Sequence, residues 1–344
     1  MKKQSIYFGL LVSLLLVLHP IISFSEEASS TVINGFSYEV VFPENQQNKE
    51  VGYYDLLMKA GETQTIQLKV KNTSNQAMKL EIHLNSAKTN GQGVIEYGSN
   101  DLPKDPSLKH DLADIMKGPE KVEIPANSSS VIPFVITLPK EAFEGYLTGG
   151  IQLKPILEEA QVQNEQNEIV NKFAFLIGVL IRESAVDQIK PELTLNDISL
   201  RLKEGTQTLF VNLSNTKGAF VENMSATIQI TEKGSSRVLF EEKKNNLRMA
   251  PNSMIDLPVS LNNQAATSGE YTANIQMDTE NGGNWTWLKN FKVSKVEAQR
   301  IKQPIIKKLD RRTVNYWWVL GLIATLLVSL CIGILVMKKK WWFL

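Results

Sequence analysis

The sequence predicts an all-β protein of two tandem immunoglobulin-like β-sandwich domains, followed by one C-terminal transmembrane α-helix. Short segments of alternating apolar and polar residues, separated by turn formers, run from Phe36 to Val293 and are typical of sandwich strands. An uncharged run of about 22 residues, Tyr316 to Met337, has the length that a helix needs to cross ~30 Å of hydrocarbon. Trp317 and Trp318 at its start favour a membrane span over a buried core helix, because such rings prefer the headgroup level.

The N-terminus has the pattern of a secretory signal. Lys2 and Lys3 precede an apolar run from Ile6 to Leu18, and Ser23-Phe24-Ser25 supplies a small-x-small cleavage site. We therefore expect residues 1–25 to be a signal peptide. An uncleaved N-terminal anchor is the alternative.

The first predicted sandwich covers residues 33–157. Its clearest strand is Thr65 to Lys71, in which alternate residues are apolar, and Ala77 to Leu84 repeats the pattern. His83 falls at a polar position of the second of these strands, so we expect it to point to solvent. Two further strands, Ser130 to Leu138 and Tyr146 to Leu153, complete the set.

A long insertion, Thr89 to Glu120, interrupts this sandwich. It is rich in turn formers, and one short helix is predicted from Ser107 to Met116, directly after a proline. Insertions of this length in a compact domain are usually functional or disordered. Asn90, Tyr97 and Asp101 carry the stacking and hydrogen-bonding groups that a glycan site uses, and we predict that they bind glycan.

The second predicted sandwich covers residues 169–295. A polar, acidic segment at 158–168 separates the two strand sets, and its composition suits a solvated linker or a long hairpin loop. Landmarks of the first set recur in the second: Asn72-Thr73 matches Asn215-Thr216, and Ile124-Pro125-Ala126-Asn127-Ser128 matches Met249-Ala250-Pro251-Asn252-Ser253. The recurrence predicts two domains of one plan.

Two tryptophans stand out in the last strand of the second set. Trp285 and Trp287 lie on one face of that strand, with Thr286 on the other. Paired aromatic residues there anchor a protein partner or stack on sugar rings, or else they fill the sandwich core. We predict Trp285 and Trp287 as partner-binding residues, with a core position as the alternative.

The signal and the apolar run together predict a single-pass membrane protein with an extracellular N-terminal ectodomain. We expect residues 296–315 to form a basic stalk in which Pro304 interrupts any helix, residues 316–337 to span the membrane, and residues 338–344 to form a short cytoplasmic tail. The expected localisation is therefore the cell membrane.

Composition narrows the function classes. The net charge of +1 predicts no nucleic-acid partner. The only cysteine, Cys331, lies in the predicted span, so the exported part has neither a disulfide nor a thiol nucleophile. Cysteine-free exported domains behind a signal and one span suit the surface of a Gram-positive bacterium.

Catalytic chemistry is poorly supported by the sequence. His83 and His110 each lack a second histidine or cysteine nearby, so neither predicts a metal site, and no cofactor is expected. The sequence predicts that Glu141 and Glu144 are solvated turn residues. A cell-wall glycan hydrolase that uses acids of the insertion, such as Asp101, is a competing but weaker hypothesis.

The chain resembles a known family of bacterial surface proteins. Segments of the first half carry the resemblance: Tyr54-Asp55-Leu56, Gly61-Glu62-Thr63, Ala87-Lys88-Thr89-Asn90, Val94-Ile95-Glu96-Tyr97 and Phe143 to Ile151. Segments of the second half extend it: Phe173 to Val179, Met249 to Ser253, Gly269-Glu270-Tyr271-Thr272 and Trp287 to Val293. In this order they resemble the peptidoglycan-binding and host-binding domains of the WxL-interacting proteins of Gram-positive bacteria.

The resemblance implies a non-enzymatic protein that binds peptidoglycan through its first domain. Its second domain would bind WxL-domain surface proteins or host matrix proteins. The leading hypothesis is therefore a membrane-anchored scaffold. The alternative is an assembly factor that donates or accepts a strand by β-augmentation.

Overall fold

The computed structural model describes residues 35–156, 173–262, 264 and 266–300, and they form an all-β structure as predicted. The first sandwich faces one sheet, ordered β1-β3-β9-β7, against another, ordered β2-β11-β10-β4-β8. Its strands are β1 (Phe36–Val41), β2 (Tyr54–Leu57), β3 (Thr63–Asn72), β4 (Met78–Ser86), β7 (Met116–Lys117), β8 (Lys121–Ile124), β9 (Ser128–Thr137), β10 (Leu147–Pro155) and β11 (Phe175–Arg182). The insertion adds a small hairpin, β5 (Lys88–Thr89) with β6 (Ile95–Glu96), and a one-turn helix, α1 (Leu112–Ile115).

The second sandwich faces a three-stranded sheet, ordered β12-β13-β16, against a four-stranded sheet, ordered β15-β14-β17-β18. Its strands are β12 (Leu193–Lys203), β13 (Thr206–Asn215), β14 (Val221–Glu232), β15 (Val238–Met249), β16 (Ser253–Ser260), β17 (Gly269–Asp278) and β18 (Asn284–Val293). A short helix, α2 (Lys295–Arg300), follows β18. Ser294 and Glu297 exchange side chain-to-backbone hydrogen bonds of 3.1 and 2.7 Å, which is a capping box at its start.

Each sandwich encloses its own apolar core, and the period-two pattern explains why. Ile66, Leu68 and Val70 of β3 are buried, while the residues between them are exposed. Leu68 lies opposite Ile132 of β9, which is also buried. Burying alternate apolar residues on facing sheets is the main favourable term of such a fold.

The structure differs from the predicted boundary between the domains. We expected Phe173 onward to open the second sandwich, but β11 pairs with β10 and with β2, so it belongs to the first. The acidic segment 158–168 therefore lies in the sequence between two neighbouring strands of one sheet. The backbone passes to the second sandwich after Arg182. The physical reason is that alternation specifies a strand but not the sheet that it joins.

The structure confirms the internal repeat at its most buried positions. Asn72 and Asn215 are both 0% exposed and end equivalent strands, β3 and β13. Asn72 Nδ2 donates to the carbonyl oxygen of Ile124 at 3.1 Å, and Asn215 Nδ2 donates to that of Ala250 at 3.0 Å. Each amide thus ties the end of one strand to the turn before the next.

No helix within the described ranges is long and apolar enough to span a membrane. The predicted signal peptide at 1–25, the acidic segment 158–168, the span at 316–337 and the tail at 338–344 lie outside those ranges. Of the predicted stalk, only the part up to Arg300 is described, and it lies in α2.

Candidate functional site

The insertion that interrupts the first sandwich lies against the second one. The hydroxyls of Thr89 and Ser253 are 2.7 Å apart, and the Ala250 amide donates to Thr89 Oγ1 at 3.0 Å. The Arg248 amide donates to the Gly93 carbonyl at 2.8 Å. Because Thr89 and Ser253 are both buried, these hydrogen bonds form away from water, where an unmade bond is costly.

A second part of the insertion reaches the same neighbour. The buried carboxylate of Asp105 accepts a hydrogen bond from Ser214 Oγ at the end of β13. Asn252 Nδ2 donates to the Ser107 carbonyl at 3.2 Å. The insertion therefore holds the two sandwiches together through hydrogen bonds at two places.

The backbones of the two sandwiches are in close contact at Gly145 and Gly218. The Tyr146 amide donates to the Gly218 carbonyl oxygen at 2.6 Å. A Cβ atom on Gly145 would lie 2.2 Å from that same oxygen, and Gly145 has a φ of +91°. Only glycine fits both the conformation and the space at this position.

A cleft with a volume of about 390 Å³ opens beside this contact, between the two sandwiches. The first sandwich contributes residues of the insertion and of the loop that leads into β10, and the second contributes residues of the β13–β14 and β15–β16 loops. The lining residues that carry charge or an aromatic ring are Lys109, His110, Glu141, Phe143, Glu144, Tyr146 and Lys217. The cleft therefore combines carboxylates, amines and aromatic rings, which is a composition that binds a ligand carrying both charges and apolar faces.

Asp111 follows His110 at the edge of the cleft and caps the short helix α1. Its side chain accepts a hydrogen bond from the Ala113 amide at 2.9 Å and caps α1, and it also bonds Ser86 Oγ and pairs with Lys104. Burial raises the pKa of the Asp111 carboxyl, but the hydrogen bonds from Lys104, Ser86 and Ala113 outweigh it and hold the pKa below its ordinary value.

Asp111→Asn is expected to lower the free energy of unfolding by about 1–2 kcal/mol at neutral pH, because it removes the charge from a buried cap. A lowered carboxyl pKa contributes stability above the unfolded value of 3.8 and loses it as the pH falls through the folded value. The difference between wild type and variant should therefore be full above about pH 5 and shrink below about pH 4. Urea titrations at several pH values measure it, and a pH-independent difference would contradict the assignment.

The three residues predicted to bind glycan do not line this cleft. Asn90 closes the β5–β6 hairpin: its Oδ1 accepts from the Gln92 and Val94 amides at 2.9 and 3.1 Å. Asp101 is exposed. The glycan role of these residues stays a prediction, but the Asn90 side chain is already occupied by the turn.

Tyr97 lies at the junction instead, half-buried near Arg248 and Glu222 of the second sandwich. Burial raises the pKa of its hydroxyl, and Arg248 opposes the rise. Arg248 itself forms a two-pronged ion pair with Glu222, with Nε–Oε2 and Nη2–Oε1 distances of 2.6 and 2.7 Å. The Tyr97 ring therefore sits beside an arginine that already has a partner.

Trp285 and Trp287 lie on the face of β18 that points to the second core, and both are half-buried against it. Trp285 Nε1 donates to Glu192 Oε1 at 3.2 Å. The structure is therefore compatible with both a core position and a partner-binding role, since the two rings contact the core and also keep exposed surface. Their role in partner binding stays a prediction.

A second groove, also of about 390 Å³, lies wholly within the first sandwich. His83, Lys117 and Lys121 are among its lining residues. As predicted, His83 points outward, and its Nε2 lies 3.3 Å from a carboxylate oxygen of Glu81. This groove lacks an aromatic ring other than that of His83, so the cleft at the junction is the better candidate for a sugar-containing ligand.

Sequence reasoning missed most of the cleft. Glu141 and Glu144 read as ordinary turn residues, and Lys217 carried no motif. The only sequence feature that pointed to the cleft was the length of the insertion. That length indicated a functional role, but it did not indicate which surface the insertion contacts. Among the described residues, no group of three or more His, Cys, Asp or Glu side chains is placed to hold a metal ion.

Comparisons with known proteins divide the chain in the same order as its sandwiches. Residues 36–155 match the family model described as "WxL Interacting Protein, peptidoglycan binding domain", and residues 164–303 match "WxL Interacting Protein, host binding domain". The second match begins before β11, which the structure places in the first sandwich. No curated protein matches the sequence.

Several solved structures are similar to this chain at low sequence identity and low TM-score. The CupB2 chaperone of Pseudomonas aeruginosa is 13% identical, with 68% of this chain and 96% of that chain covered and a TM-score of 0.27. The E. coli chaperone DraB is 13% identical, with coverages of 71% and 96% and a TM-score of 0.27. A PapD-like domain of human CEP192 is 9% identical, with coverages of 48% and 97% and a TM-score of 0.26.

Proposed function

Since this chain belongs to the WxL-interacting protein family, with the peptidoglycan-binding domain first and the host-binding domain second, we propose that it is a membrane-anchored surface protein. It attaches to peptidoglycan through its first half and scaffolds WxL-domain surface proteins through its second. The order of the two family domains along two sandwiches is the observation that carries the proposal. Both are binding domains, which supports a non-enzymatic role.

The proposed anchor is the apolar run Tyr316 to Met337, with the sandwiches outside the cell. A stalk of about 20 residues spans at most ~65 Å when fully extended. Partners in the inner cell wall are therefore favoured over host matrix proteins, unless the wall is thin or the ectodomain is shed.

The cleft at the junction is the site that we propose for peptidoglycan. The aromatic ring of Phe143 suits the apolar face of a sugar. Glu141 and Glu144 suit an ammonium group of the stem peptide, and Lys109 and Lys217 suit its carboxylates. Peptidoglycan combines all three chemical groups in one repeat, whereas a plain polysaccharide offers only the first.

The full chain in detergent is expected to sediment with purified cell wall at moderate salt. Phe143→Ala and Lys217→Ala should each weaken binding about fivefold, because each removes one contact worth about 1 kcal/mol. Lys243→Ala is the matched control for Lys217→Ala. Lys243 is an exposed lysine of the second sandwich, as Lys217 is part of that sandwich, but it does not line the cleft.

Quantitative pelleting over a range of wall concentrations measures these effects. Absence of wild-type sedimentation would contradict peptidoglycan attachment. Wild-type sedimentation with unchanged cleft variants would keep the function and move the site elsewhere, with the groove at His83 as the next place to test.

A further inference from the structure

The two sandwiches end differently, although they share one plan. In the first sandwich, the last strand, β11, has a partner on each side: β10 antiparallel and β2 parallel. Strand β2 also fills the core, because Tyr54 and Leu56 are both 0% exposed. The edge of β11 is therefore closed by a four-residue segment from earlier in the chain.

An ion pair holds this closing segment in place. Asp55 of β2 lies between the two core residues and points to the outer face of the sheet, as Arg182 of β11 does. Arg182 Nη2 lies 3.1 Å from Asp55 Oδ2, and both side chains are mostly buried. The closing strand thus has a simple chemistry, with large apolar residues at alternate positions and a carboxylate between them.

In the second sandwich, the last strand, β18, has a partner on one side only. It pairs with β17 over ten residues without a bulge, from Asn284 to Val293. Within the described residues, no strand pairs with the other edge of β18. The strand that opens this sandwich, β12, pairs with β13 in the opposite sheet instead.

Most inward side chains of β18 are less buried than those of β11, although Val293 at its end is buried. In β11 the inward residues Ile177, Val179 and Ile181 are all 0% exposed. In β18 the inward Trp287 and Phe291 are only half-buried, and the inward Lys289 is exposed. The rings of Trp287 and Phe291 therefore contact the core and keep part of their surface exposed.

We propose that the free edge of β18 accepts a short extended segment of a surface-protein partner, which lies parallel to β18 as β2 lies parallel to β11. The segment carries large apolar side chains at alternate positions, which cover Trp287 and Phe291. A carboxylate between them pairs with Lys292, which occupies the place on β18 that Arg182 has on β11. The proposal rests on the proposed scaffolding role and names the surface that performs it.

Charge selects this occupant over two others. Strand β18 contains Lys289 and Lys292 and no acidic residue. Glu270 of β17 lies opposite Lys292 but forms an ion pair with Lys233 at 2.8 Å. The segment of this chain that follows α2, residues 301–315, contains five basic residues and one acidic residue, so it would be repelled. Two β18 strands from two copies would likewise bring lysines together, whereas an acidic partner segment is attracted.

The test uses a synthetic peptide that copies the chain's own closing strand, residues 52–59, of sequence GYYDLLMK. It is added to the full chain in detergent, and hydrogen exchange is followed by mass spectrometry. Slower exchange of the β18 amides is expected, with β15, the opposite edge of the same sheet, unchanged. Protection confined to β11, or no protection at millimolar peptide, would overturn the proposal.

A double-mutant cycle tests the ion pair. Lys292→Gln in the protein and Asp55→Asn in the peptide should each weaken peptide binding about threefold. The two substitutions together should weaken it no more than either one alone. Lys243→Gln, on β15, is the matched control and should change nothing. Additive losses would overturn the role of Lys292.

This test is independent of the wall-binding test. Peptide binding at β18 does not require the cleft, and sedimentation with cell wall does not require β18. Loss of one activity with retention of the other therefore shows which proposal has failed.

Discussion

Gly145→Ala is expected to open the junction between the two sandwiches while both keep their cores. The new Cβ atom would lie 2.2 Å from the Gly218 carbonyl oxygen and 2.6 Å from Gly218 Cα. Both neighbours are backbone atoms, so neither can rotate away. A clash of this kind costs about 1–3 kcal/mol, and a φ of +91° adds about 1–2 kcal/mol for a residue with a side chain.

Hydrogen exchange reads out the opening directly. The amides of Tyr146, Arg248 and Ala250 donate across the junction, so they should exchange faster in the variant. Binding at the cleft should weaken as well, because its two walls would no longer be held together. Amides within β3 and β13 should be unaffected.

Gly205→Ala separates the clash from the backbone strain. Gly205 also has a positive φ, +82°, but a Cβ atom there would meet nothing within 4 Å. This control should destabilise the second sandwich slightly and leave exchange at the junction unchanged. If the two variants behaved alike, the close approach of Gly145 and Gly218 would not hold the sandwiches together.

The strands of both sandwiches could be predicted because their signal is local. Alternation of apolar and polar residues in segments such as Thr65 to Lys71 depends only on the period of a strand, and burial follows it residue by residue. The buried pair Asn72 and Asn215 was visible as a repeated landmark for the same reason, since each sits at the end of a strand with a fixed sequence neighbourhood.

The junction could not be predicted because its contacts are not local. Thr89 and Ser253 meet across 164 positions of sequence, and nothing in either neighbourhood names the other. The same applies to β11. Its apolar residues suit either sandwich, and only its pairing with β2 shows that it belongs to the first. The insertion was correctly singled out, but its residues were interpreted as a glycan site, whereas many of them bind the second sandwich.

Asn72→Ala is expected to lower the free energy of unfolding of the first sandwich by about 3 kcal/mol, since it leaves buried backbone groups without partners. Asn72 Nδ2 donates to the carbonyl oxygens of Gln76, Ile124 and Pro125 at 2.8, 3.1 and 3.1 Å. Its Oδ1 accepts from the Ser74 amide at 2.9 Å. A methyl group replaces none of these bonds.

Asn215→Ala should do the same to the second sandwich, where Nδ2 donates to the Ala219 and Ala250 carbonyl oxygens at 2.7 and 3.0 Å. Because Ala250 also contacts the insertion, this variant should loosen the junction too, whereas Asn72→Ala should not. Asn245→Ala, at an exposed asparagine of β15, is the control and should cost less than about 1 kcal/mol. Urea titration with hydrogen exchange measures all three; equal costs for the buried and exposed positions would mean that the repeated asparagine is a trace of common ancestry rather than a structural requirement of each sandwich.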